Sequence, residues 1–244
     1  MPNQWKERIL LGGESGAGKT YACLTIAAMY PERKFHVIDL DDGWMPVQIQ
    51  EFSDLANVEY YRVLDWTALM ATLKELKPGP DDWVVVDMLV RAWEMVQNHF
   101  VNEVFNKDIG SYFLEARKML KQNASNLGAL RGWTDWPVIN KMHSDFINTV
   151  VYSWPCNLLA TTSMSPLTEV DDAEVQHLMT NAGLKLKFDG QKNNPFRFHT
   201  TLVLSQDRKG HYITTCRDRG RPRLERQLFK NFAREYGMKI AGWE

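Results

Sequence analysis

The sequence has no surplus charge, no long apolar run and few cysteines, and each shortage removes a class of protein. With 29 basic against 30 acidic side chains the formal net charge is −1. Such a chain does not coat nucleic acid as a polycation does, so any DNA contact needs a local basic surface. No apolar stretch approaches the ~20 residues that span a bilayer. The opening MPNQWKERILLGG lacks the charged-then-apolar pattern of a signal peptide. A soluble cytoplasmic protein without membrane contact is the expectation. Cys23, Cys156 and Cys216 are odd in number and scattered, with no CxxC pair. They read as reduced core thiols, not as a disulfide framework or a metal site. There is no internal repeat and no low-complexity segment.

What is present is ordinary globular material: 244 residues, 44% hydrophobic and 24% charged, enough to bury one sizeable core. Residues 1–244 read as a single α/β domain. Short apolar runs at residues 8–11, 36–40, 83–87 and 157–161 have the unbroken hydrophobicity of parallel strands buried on both faces. Between them lie helical patterns. Residues 20–30 carry Leu24, Ala27 and Ala28 at helical spacing. Asp65 is placed to cap a helix with Leu69, Leu73 and Leu76 on one face. Trp93, Val96, Phe100 and Val104 form another helical face, and Asp135 and Pro137 open a helix expected to turn Val138, Met142, Phe146 and Val150 inward. Strand and helix in alternation predict a mainly parallel sheet flanked by helices. Further on, residues 164–194 are polar and weakly periodic, which reads as a long loop or mobile insertion. Residues 198–204 and 211–216 flank the turn DRKG and predict a β-hairpin. A basic run, RDRGRPR, follows, and residues 224–236 read as a C-terminal helix.

The chemistry starts at Gly13, Glu14, Ser15, Gly16, Ala17, Gly18, Lys19 and Thr20, which fit G-x-x-x-x-G-K-[ST] with nothing missing. Glycines let backbone N–H groups turn inward around a β-phosphate, at the positive end of the following helix. Lys19 reaches the β- and γ-phosphates and the Thr20 hydroxyl ligates Mg²⁺. A strand before and a helix after complete the context, so ATP with Mg²⁺ is the expected ligand. The run WVVVD ends in Asp87, where such a fold holds Mg²⁺ or its water. The position after it, often a catalytic glutamate, is Met88. The strand after the phosphate loop instead ends in Asp39, Asp41 and Asp42. Asp41 shares a side with Asp39 if the strand persists, which makes it the expected water-activating carboxylate, with Asp42 as the alternative. A carboxylate shorter than glutamate places water less well and predicts slow turnover.

The order of these elements resembles the short RecA-like P-loop ATPases of bacteriophages, relatives of the RecA and RadA recombinases, over roughly residues 8–222. The resemblance implies a RecA-like core with a C-terminal β-hairpin. It also implies ATP hydrolysis in DNA recombination, replication or repair, and a homo-oligomer with ATP at subunit interfaces. Lys19, Thr20 and Asp87 match its motifs, and Asp41 stands where the family has a catalytic glutamate. Thr162 and Ser163 fall where the family senses the γ-phosphate, commonly with glutamine. Arg217 and Arg219 follow the last hairpin strand, where basic residues enter a neighbour's ATP site. Single-stranded DNA is implied as a ligand, and a phage annealing or replication protein as a partner. Residues 107–133, with Arg117, Lys118, Lys121 and Arg131, and residues 164–195, with Lys185, Lys187 and Lys192, are the mobile or DNA-facing candidates. Tyr112, Phe113 and Trp133 are available to stack bases, while the acidic run PLTEVDDAE counts against a uniformly DNA-facing loop. Residues 223–244 form the expected C-terminal helix and tail. Two other functions share the phosphate loop: a nucleotide or small-molecule kinase, and a packaging or regulatory ATPase without DNA contact.

Overall fold

The apolar runs of the sequence become the centre of one sheet. The computed structural model describes residues 5–122 and 135–243; Arg131 and Trp133, and the Lys121 side chain, lie outside what is described. In chain order the elements are β1 (Arg8–Gly13), α1 (Lys19–Met29), β2 (Phe35–Asp39), α2 (Trp44–Glu51), β3 (Val58–Arg62), α3 (Trp66–Glu75), β4 (Trp83–Asp87), α4 (Leu89–Phe105), α5 (Ile109–Gln122) and α6 (Trp136–Ile147). A π-helical turn, Asn148–Ser153, prolongs α6. Then come β5 (Asn157–Thr162), β6 (Met164–Pro166), α7 (Ala173–Asn181), β7 (Leu186–Phe188), α8 (Asn194–Arg197), β8 (Thr200–Asp207), β9 (Gly210–Asp218), β10 (Gln227–Phe229) and a π-helical segment, Ala233–Ala241.

Eight strands lie in the order β10-β9-β8-β1-β5-β4-β2-β3. The six from β8 to β3 run parallel, and β9 and β10 are added antiparallel. Every residue of β1, β2, β4 and β5 is buried, as helices on both faces require. The pleat divides them. Leu10, Ile38, Val84, Val86 and Leu158 face the layer of α3, α4 and α6. Ile9, Leu11, Val37, Val85 and Leu159 face α1, Trp44 and the C-terminal Phe232 and Tyr236. Asp65 caps α3 by accepting from the Ala68 N–H at 2.8 Å, as its position before an apolar period dictates.

Four local expectations are corrected. Residues 164–194 are not a long loop: β6 and β7 pair as a two-stranded sheet, with α7 between them, and Phe188 and Met164 seat it on β1. The chain after the basic run does not begin as a helix. Gly220 and Pro222 turn it back, and Gln227–Phe229 pairs with the open edge of β9, which satisfies backbone groups that an edge leaves bare. On α4, Val104 is exposed, because the buried stripe runs through Ala92, Val96, Phe100 and Val101. On α6, Val138 is exposed and Ile139, His143 and Phe146 are buried. A histidine in the stripe masks its true phase from an apolar count. Among the described residues no helix is long and apolar enough to cross a membrane.

Candidate functional site

Because the six strands are parallel, the C-terminal ends of β1, β2, β4 and β5 open on the same edge of the sheet, where α/β folds carry their ligand sites. β1 ends in Gly13, and the loop that follows carries Gly16 at φ 77° and Gly18 at φ 90°, a conformation that disfavours residues with a Cβ. The glycines thereby bring the loop over the start of α1. That helix has no side-chain cap and no acidic residue in its first turn, so its first amides and the positive end of its dipole remain available to an anion. The Lys19 ammonium bridges the loop, donating to the Gly13 carbonyl at 2.9 Å and the Glu14 carbonyl at 3.1 Å. Burial lowers its pKa, and the charges of Asp87 and Asp41 oppose that shift.

Asp87, at the end of β4, is 2% exposed. Its carboxylate accepts from the Thr20 hydroxyl at 3.0 Å and, on the other oxygen, from the Thr161 hydroxyl. Burial raises its pKa to about 6; the two threonine hydrogen bonds act against that shift, while the neighbouring Asp41 and Asp39 charges add to it. A cation bound beside Asp87 would offset that cost. Thr20 and Asp87 therefore stand side by side as oxygen ligands that fit Mg²⁺. Among the described residues no three His, Cys, Asp or Glu side chains are grouped to hold a metal by themselves. Mg²⁺ commonly takes one or two protein ligands and shares the rest with phosphates and water, so this donor set fits a nucleotide-borne ion.

The three aspartates after β2 have separate tasks. Asp39 is fully buried and accepts from the N–H groups of Asp41, Asp42 and Trp44 and from the Tyr60 hydroxyl. It builds the turn and starts α2. Asp42 makes a two-pronged pair with Arg62 at 2.7 and 2.8 Å, which holds its carboxyl below the usual range. Asp41 lines the cleft of about 380 Å³ together with Lys19, Thr20, Asp87, Met88 and Ser163. Burial and the adjoining Asp39 raise its pKa, against the Gly43 amide and the Lys19 charge. A raised carboxylate facing a phosphate loop is better suited to accept a proton than one locked to arginine.

At the end of β5, Thr162 donates to the Asp189 carbonyl at 3.1 Å and Ser163 to the Asp189 carboxylate at 2.6 Å. Of the two, Ser163 reaches the cleft. Beside the cleft, and sharing Gly16, Gly18 and Tyr21 with it, a groove of about 570 Å³ runs between the hairpin turn and β10, lined by His211, Leu228 and Phe229. Arg217 and Arg219 stand elsewhere. Gly13 is in register with Leu204, and Leu204 with Ile213, whereas Arg217 pairs with Thr201 towards the opposite edge of the sheet. Neither arginine is among the residues lining the phosphate-loop cleft. Lys187 pairs with Asp171 and Lys192 with Asp172, so two of the lysines expected to face DNA are neutralised within their own segment.

Sequence reasoning missed Thr161, the Asp189 contact and the groove at β10. Thr161 sat in an apolar strand pattern. Only the pairing of Val86 with Ala160 sets the next residue of each strand, Asp87 and Thr161, beside each other.

No family model matches the sequence, and no curated protein matches it. Solved structures do match. The crystal structure of the RadB recombinase superposes with a TM-score of 0.51 over 88% of this chain and 83% of that one, at 10% identity. The chain thus has the RecA-like α/β fold: a mainly parallel sheet between helices, completed by an antiparallel C-terminal hairpin.

Proposed function

We propose that this chain is a Mg²⁺-dependent ATPase that acts on DNA in phage recombination, replication or repair, as a homo-oligomer. The observation that carries the reading is the convergence of Lys19, Thr20, Asp87 and Asp41 on one cleft at the edge of a RecA-like sheet. The residues from Gly13 to Thr20 hold the phosphates, with Lys19 exchanging the loop carbonyls for phosphate oxygens. The groove at Tyr21, His211 and Phe229 receives the nucleoside. Thr20 and Asp87 hold Mg²⁺, which supplies positive charge at the phosphates. Asp41 orients water and takes its proton, and Ser163 reports the cleft's occupancy to Asp189.

The hairpin carries Arg217 and Arg219 away from their own nucleotide, so a role at ATP is a role at a neighbouring subunit's site. Of the two, Arg219 is exposed and carries this assignment. Arg217 is anchored on the Phe196 carbonyl at 2.9 Å. The same placement counts against a kinase, whose basic lid would have to close over the phosphate loop.

The experiment is ATP hydrolysis with and without single-stranded DNA, combined with the oligomeric state in a non-hydrolysable ATP analogue. Phosphate release stimulated by DNA from an ATP-assembled oligomer is expected. Turnover only with a phosphate-accepting metabolite would assign a kinase instead. DNA-independent turnover would assign a packaging or regulatory ATPase.

A further inference from the structure

The far end of the hairpin carries charge that the chain leaves uncompensated. Arg221 pairs with Glu7, and Arg226 with Asp207. Arg217, Arg219 and Arg223 make no ion pair among the described residues. A groove of about 600 Å³ opens between α7 and β9 at this place. Arg217 enters it from β9, Arg223 from the turn beyond, and His177 and Asn181 from α7; Leu178 and Phe196 supply apolar surface. Arg217 spends one donor on the Phe196 carbonyl, and its others have no partner among the described residues. Burial and the nearby Arg219 charge both disfavour its ionised form. Although Glu174 also lines the groove, no carboxylate is ion-paired with these guanidinia among the described residues, and a bound phosphate would meet them through paired N–H donors. In the neighbouring segment Lys187 and Lys192 are already neutralised, which leaves Lys185 and these arginines without an ion pair among the described residues.

The volume is that of a ligand-sized pocket. A single acidic side chain would leave most of it empty, whereas a nucleotide brings an anion for the guanidinia and a flat face for Phe196 and Leu178. Glu174, also in the lining, disfavours a phosphate beside it and favours a base amino group there. We propose that the groove between α7 and β9 binds a nucleotide unit of single-stranded nucleic acid, with the phosphate on Arg217 and Arg223 and the base against Phe196 and Leu178. This rests on the reading that the protein works on single-stranded DNA, and it is independent of the phosphate loop.

The test uses the full chain with a saturating non-hydrolysable ATP analogue, so that the phosphate loop is filled and the assembled form is present, with a labelled oligothymidylate followed by fluorescence anisotropy. Salt-dependent binding is expected. Arg223→Gln, at an exposed position, should weaken it about tenfold and lower the salt slope by about one, and Arg223→Lys should recover part of the loss. Equal affinity in the Arg223→Gln protein would overturn the proposal. So would thymidine monophosphate binding as tightly as the oligonucleotide, or displacement of the oligonucleotide by an acidic peptide of equal length. If DNA stimulates wild-type ATP turnover while Arg223→Gln leaves binding intact, the groove is wrong and the function stands. If DNA neither binds nor stimulates, the DNA reading itself falls.

Discussion

At the scale of single residues the cleft is a set of charges waiting for opposite charge. Lys19 is held by two loop carbonyls, weak substitutes for phosphate oxygens. Lys19→Ala should therefore abolish ATP binding, read as loss of a calorimetric signal that the wild type gives. Asp41→Asn keeps the cleft's shape but removes the proton acceptor. Nucleotide affinity should stay within a few-fold while hydrolysis falls by roughly 10²–10⁴; turnover at the wild-type rate would move the role to another group. Away from the site, His143 is 1% exposed, and burial, helped by the Arg197 charge, lowers its pKa to about 3. The unfolded chain binds a proton near pH 6.5 that the folded one refuses until about pH 3, so this residue's contribution is intact above 6.5 and lost as pH falls. The slope is at most about 1.4 kcal/mol per pH unit. His143→Phe should reduce the loss of stability between pH 7 and pH 5, measured by urea unfolding at both values; an unchanged loss would contradict the assignment.

At the scale of elements, the small sheet of β6 and β7 is locked to the phosphate-loop strand. A Cβ on Gly12 would lie 2.5 Å from Phe188 Cε1 and 2.6 Å from Met164 Sδ, closer than carbon and sulfur pack. Gly12→Ala should cost about 1–3 kcal/mol through overpacking and push β7, with Asp189, away from Ser163. Thermal melting and ATP affinity measured on the same protein would detect both effects. Unaltered melting would mean that Phe188 has room to move. The elements also mark where sequence patterns were informative. β4 has the bounds that WVVVD predicts, and Asp65 caps α3, because burial on both faces and capping leave local marks. β10 left none: three residues become a strand only because β9 offers them an unpaired edge. The π-helical Ala233–Ala241 lies within the expected C-terminal helix and tail, and Phe232 and Tyr236 pack in the core beneath the sheet.

At the scale of the whole molecule, the sheet order separates the hairpin's arginines from the phosphate loop and so turns them towards other molecules. If Arg219 completes a neighbour's site, Arg219→Ala should lower ATP turnover at protein concentrations that support assembly. Mixing it with Lys19→Ala should restore part of the activity, because each subunit supplies what the other lacks. Turnover of the mixture no greater than that of Arg219→Ala alone would count against a role in trans.

The sequence by itself determined the phosphate loop, since Gly13 to Thr20 are contiguous and their glycines set the backbone locally. It also determined the parallel, doubly covered sheet, since strands buried on both faces must be apolar throughout. Strand alternation favoured Asp41 over Asp42, but only the tertiary structure separated them physically, because Tyr60 and Arg62 on β3 claim Asp39 and Asp42 and leave Asp41 lining the cleft. The tertiary structure alone set Thr161 against Asp87 and brought Arg223 to the groove that α7 lines. Those contacts join residues far apart in the chain, and the physical agent that joins them is the strand order imposed by packing both faces of the sheet.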